Sequence, residues 1–175
     1  MIIPKTLTAK TSQSGFTLIE LLLYVAIVGS LLIAVSSFFV MTIDSRVKNQ
    51  SILEVNDQGL NAMEYMTETI RNSSSITAPV PAGSAATLTL TVPTAALSPT
   101  VFSLNGTTLQ VKEGTGSAVA LTNSKVQISS LTFKNLAKSG TKGIVQISFT
   151  ISRVNTNGRN PYTYQKTFVA SAALR

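Results

Sequence analysis

The chain contains no cysteine, no histidine and no tryptophan. Without cysteine there is no disulfide staple, no thiol nucleophile and no zinc–thiolate site. Without histidine the commonest general acid or base near neutral pH is missing. Acids are scarce where they would matter most: from Asn72 to Arg175 there is one, Glu113, against nine bases. That argues against a carboxylate pair or an oxygen-ligand metal site within this region. No glycine-rich phosphate cradle stands out, and Gly114-Thr115-Gly116 lies between short strand patterns and reads as a turn. The protein is expected to be a substrate of enzymes and not an enzyme, with no cofactor and no bound metal. Proline is also missing between Pro4 and Pro79, which leaves a long interval free to be helical.

What fills that interval is distinctive. Two lysines, Lys5 and Lys10, and no acid precede Gly15. Then come Phe16-Thr17-Leu18-Ile19-Glu20 and 23 uncharged residues from Leu21 to Ile43. A run of that length can span a bilayer, which takes about 20 apolar residues, whereas the apolar region of a secretory signal has roughly 7–15. A secretory signal is also cut after its apolar region, at a small-x-small site. Here the small residue, Gly15, stands before it. Glu20 is an ionised group at the head of a hydrocarbon-length segment, where a charge costs a few kcal/mol or more and normally has a partner or a task.

This N-terminus resembles that of type IV prepilins, in which a short basic leader ends in Gly and is followed by Phe-Thr-Leu-Ile-Glu and a hydrophobic helix. The resemblance covers about the first 30 residues. It implies that prepilin peptidase cleaves between Gly15 and Phe16, leaving 160 residues, and that the new amine of Phe16 is N-methylated. Glu20, fifth after the cut, would then neutralise the N-terminal amine of a neighbouring subunit during assembly. Opposite charges in low dielectric attract strongly only when both lose water together, which is consistent with that role. The implied partners are prepilin peptidase, other pilins or pseudopilins and the inner-membrane assembly platform. The implied location is the cell membrane, crossed once, with the head outside the cytoplasm in a pilus or pseudopilus.

The remainder can be read from its periodicity. Ile52, Val55, Gly59, Met63, Met66 and Ile70 recur at steps of three and four, flanked by Leu53 and Leu60. One long helix from about Phe16 to about Arg71 is expected, with Gly29-Ser30 and Gly59 as the places where bending or melting would cost least. Asn72-Ser73-Ser74-Ser75 should end it, and Pro79, Pro81 and Gly83 should form a connector. The period then becomes two. Strands are expected at Thr87–Val92, at Val101–Leu104 and Thr108–Val111 around an Asn105-Gly106 turn, and near Val119 and Leu121. Further strands are expected at Val126–Phe133, with a bulge at Ser129-Ser130, at Val145–Ser152, and at Tyr162–Ala170 beyond a loop from Asn155 to Pro161. A helix with an apolar stripe, followed by half-apolar antiparallel strands, makes an α+β protein. The expected divisions are leader 1–15, membrane half of the helix 16–43, amphipathic half 44–72 and an antiparallel β-sheet head 73–175. That is the pilin shape, reached here without the leader.

Charge divides along the same lines. Residues 44–71 carry five acids and three bases, and 72–175 carry a net +8. Such a head could meet nucleic acid, an anionic envelope or an acidic subunit. Its bases are dispersed in sequence, so nucleic acid is a possible partner and not the favoured one. The lack of cysteine departs from many Gram-negative major pilins, which close a C-terminal loop with a disulfide. The head of about 100 residues, its two hairpin-like regions and its ending from Tyr164 to Arg175 resemble minor pilins or type II secretion pseudopilins of the J or W type. Retention of Glu20 argues against the tip-most K type. A minor pilin or pseudopilin acting in secretion, pilus assembly or DNA uptake is the leading expectation. A major pilin, or an anchored surface binding protein that never enters a filament, is the alternative.

Overall fold

The computed structural model describes residues 15–138, 141, 143–156, 158 and 162–175. A single helix, α1 (Leu18–Arg71), runs for 54 residues, unbroken at Gly29 and at Gly59. Nine strands are present among the described residues: β1 (Ser75–Ala78), β2 (Ser84–Ala85), β3 (Leu88–Thr91), β4 (Thr100–Asn105), β5 (Thr108–Glu113), β6 (Val119–Ala120), β7 (Val126–Asn135), β8 (Ile144–Arg153) and β9 (Gln165–Ala173). The protein is α+β, a long N-terminal helix packed on antiparallel sheet in the pilin manner. Two compact units divide between Ile43 and Asp44.

In the first unit the apolar length of α1 lies in the open, with Leu22, Val25, Leu32, Phe38 and Phe39 all exposed. It is the one described helix long and apolar enough to cross a membrane. In the second unit α1 buries Val55, Gly59, Ala62, Met63, Met66 and Ile70 against the sheets. Phe102 from β4, Phe133 from β7 and Phe149 from β8 are fully enclosed. Each such side chain contributes roughly 1.5–3 kcal/mol relative to exposure. Leu53 and Leu60, which flank the expected stripe, point away from this core and stay exposed.

The alternating pattern predicts one sheet, and the structure has two. Their orders are β1-β3-β4-β5-β6 and β2-β7-β8-β9, antiparallel throughout. The reason lies on either side of the Pro-Gly connector, which is itself irregular. The residues just before it, in β1, pair with β3 and those just after it, in β2, pair with β7, so the chain passes from one sheet to the other there. Buried Asn135 fixes the crossing: its Nδ2 donates to the Pro79 carbonyl (2.8 Å) and its N–H to the Gly83 carbonyl (2.9 Å).

Two local expectations shift in detail. Asn105 pairs with Thr108, so the β4–β5 loop is Gly106-Thr107 and not Asn105-Gly106. Gly106 has φ +60° and Asn105 does not have positive φ, which matches a turn needing positive φ only at its first central residue. The final strand begins at Gln165, three residues beyond the expected Tyr162. The loop expected from Asn155 to Pro161 lies partly outside the described residues. At Ser129-Ser130 the bulge is present, with the register shifting between Ser129 and Thr132 and Ser130 at φ +56°.

Candidate processing and assembly site

Of the basic leader, Lys5 and Lys10 lie outside the described residues, and Gly15 is where the described chain begins. Gly15, Phe16 and Thr17 are non-helical and exposed. Among the described residues nothing lies within 4 Å of where a Cβ on Gly15 would sit, and its φ is not in the left-handed region. The fold itself therefore does not call for glycine at this position. The ring of Phe16 is 71% exposed and its one aromatic neighbour is Tyr24, 5.9 Å between centroids.

Thr17 sets the start of α1. Its Oγ1 accepts the Glu20 N–H at 3.3 Å, and its carbonyl accepts the N–H groups of Glu20 and Leu21, both at 3.1 Å. Thr17 is thus the N-cap and Glu20 the third helical residue, the Thr-x-x-Glu spacing of a capping box. That is why α1 opens at Leu18 and not at Phe16. The sequence reading passes over Thr17, although the spacing is visible in the residues. The cap holds Glu20 in the first turn, where the unsatisfied N–H groups of a helix favour a carboxylate.

In the second unit the charged side chains fasten α1 to the strands. Glu54 accepts a 2.6 Å hydrogen bond from Asn123 Nδ2 and faces Arg153 at 3.7 Å and Lys125 at 3.9 Å. Gln58 Oε1 accepts the Asn123 N–H. Lys166 donates to Asn56 Oδ1 at 2.8 Å while lying over the Phe168 ring, and Lys48 donates to the Thr163 carbonyl at 2.7 Å. Glu113 accepts the Tyr65 hydroxyl at 2.9 Å. Burial, then that bond and the charges of Glu113 and Glu68, push the Tyr65 pKa up. Among the described residues no three His, Cys, Asp or Glu side chains converge as metal ligands.

Residues 10–36 match the model of the prokaryotic N-terminal methylation motif. The chain carries that motif on an exposed apolar helix, which fits the type IV pilin-like family and indicates a precursor of the kind processed by prepilin peptidase. No curated protein and no solved structure matches the chain.

Proposed function

We propose that the protein is a structural subunit of a type IV pilus-like filament or pseudopilus, of the minor pilin or pseudopilin kind, and not an enzyme. The observation that carries this reading is the methylation motif continuing into an exposed apolar helix with Glu20 in its first turn. Peptidase cleavage between Gly15 and Phe16 leaves an amine on Phe16, which is then N-methylated. Gly15 and Phe16 are non-helical and exposed, which leaves a peptidase access to that bond. Glu20 pairs with the Phe16 amine of the adjacent subunit, and both charges leave water in the same step. Such a subunit serves secretion, pilus assembly or DNA uptake from the cell membrane, together with other pilins and the assembly platform.

The test is Glu20→Gln, which keeps size and helix propensity and leaves the Thr17 cap intact, because the cap bond uses the backbone N–H. The variant should insert at least as readily, since an ionised group has left the hydrocarbon. It should still be cleaved, because leader and scissile bond are unchanged. Incorporation beside neighbouring pilins, read by crosslinking, should fall sharply, because assembly then buries an unpaired amine at a cost of about 3–5 kcal/mol. Undiminished incorporation overturns the pairing. Absence of even the wild-type chain from any filament would leave an anchored surface protein instead.

A further inference from the structure

The helix in the second unit has a second stripe, opposite its buried one. Leu53, Asp57, Leu60 and Glu64 follow at steps of four, three and four, and all are exposed. Leu53 is 67% and Leu60 58% exposed, unusually open for leucines two turns apart on one face. Two carboxylates alternate with them, and Glu68 continues the acidic edge.

The outer face of the β7–β8–β9 sheet carries the converse pattern. Register places Thr132, Ser148 and Val169 in one row and Lys134, Gln146 and Ser171 in the next. In a third row, Ile144 stands opposite Ala173, with Leu136 joined to Ile144 by a 2.7 Å backbone hydrogen bond. Val169, Leu136 and Ile144 are 60%, 43% and 40% exposed. Lys134 stands between the two apolar rows and exposed Lys138 follows just past them. Leu53 and Leu60 are about 10 Å apart along the helix at 1.5 Å per residue. Val169 and Ala173 are about 13 Å apart along β9. The two patterns are therefore similar in length and apolar content and opposite in sign of charge.

We propose that the outer stripe of α1 docks on this sheet face of a second copy of the chain, with Leu53 on Val169 and Leu60 on Ile144. In that contact Asp57 and Glu64 meet Lys134 and Lys138. The surfaces are different, so the contact is head-to-tail, and it repeats along an open filament where its rotation does not close a ring. Lys125 and Arg153 lie beside Glu54 of their own chain and are not part of this contact. The inference rests on the filament reading above and gives it a specific pair of surfaces.

Since the chain lacks cysteine, introduced thiols are the sole ones. Two differently tagged full-length copies, Leu53→Cys in one and Val169→Cys in the other, are co-expressed and oxidised in the membrane. A mixed disulfide species should form. Asp57→Lys with Glu64→Lys in the first copy should reduce it about tenfold or more, as like charges are brought together. Lys134→Glu with Lys138→Glu in the second copy should restore it, an outcome that mere misfolding would not produce. A predominant Leu53→Cys homodimer, or no rescue on charge exchange, overturns the proposal. Filament recovery of wild type is scored separately. Incorporation without the mixed crosslink sinks the contact and spares the filament reading; the crosslink without incorporation does the reverse.

Discussion

The ring of Phe168 lies directly on the backbone of Gly59. A Cβ on Gly59 would clash with the ring edge, so this turn of α1 needs glycine for close approach and not for bending. Phe168 is held on its other side by Phe149, stacked at 5.6 Å between centroids and 19° between planes. The ring therefore has little room to retreat.

Replacing Gly59 by alanine sets two effects against each other. Alanine improves helix propensity by up to about 1 kcal/mol, while overpacking a fixed ring costs about 1–3 kcal/mol. The clash should win, and Gly59→Ala should unfold at lower temperature or denaturant than wild type. Adding Phe168→Leu should return part of the loss, because the ring edge is gone. A Gly59→Ala chain more stable than wild type would show that the helix and β9 can separate without cost.

Glu54 ties α1 to the β6–β7 connection and to the end of β8. Removing it as Glu54→Ala orphans Asn123 Nδ2 and leaves half-buried Arg153 without its carboxylate. The loss should be about 1–2 kcal/mol, mostly from the short Asn123 bond, since ion pairs at 3.7 and 3.9 Å near solvent contribute little. Asn123→Ala should cost a similar amount, and the double variant should cost less than the two combined. Additive losses would show that the two residues act independently.

Tyr65 gives a pH dependence with a definite sign. Burial and Glu113 raise its pKa above the ordinary value near 10, so the folded chain holds this proton more tightly than the unfolded one. The stabilisation is fully present below about pH 10 and is lost as pH rises through the folded value. Wild type should therefore lose stability more steeply than Tyr65→Phe above pH 10, as followed by denaturant unfolding of the full chain at each pH. Parallel curves for the two proteins would rule the coupling out.

Gly15→Val tests processing alone. The fold has room for the side chain at this exposed position, so folding and insertion should not change. A branched residue beside the scissile bond should block the peptidase and leave the 175-residue chain with an unmethylated start, read by intact mass. Normal maturation of this variant would mean that cleavage occurs elsewhere.

Local spacing was enough for much of this architecture. The unbroken helix follows from the proline-free interval and the steps of three and four. The alternation in Val145, Ile147, Phe149 and Ile151 marked β8, and all four are buried. The slipped alternation at Ser129-Ser130 marked the bulge. Even the Thr17 cap was legible as Thr-x-x-Glu, because capping depends on residues three apart in sequence.

By itself, then, the sequence determined the helix, the period of the strands, the α+β class and the methylation motif with Glu20 at its head. Each of these depends on neighbours a few residues apart. Only the tertiary structure decided that the strands before and after the connector would join different sheets, since the β2–β7 pairing brings Ser84 to Lys134 across a long stretch of chain. Only the fold turned Gly59 from an apparent weak point into a seat for Phe168, 109 residues away in sequence. It also left Leu53 and Leu60 outside the core. Periodicity shows that a helix has an apolar face, but the strands that pack against it determine which residues are covered.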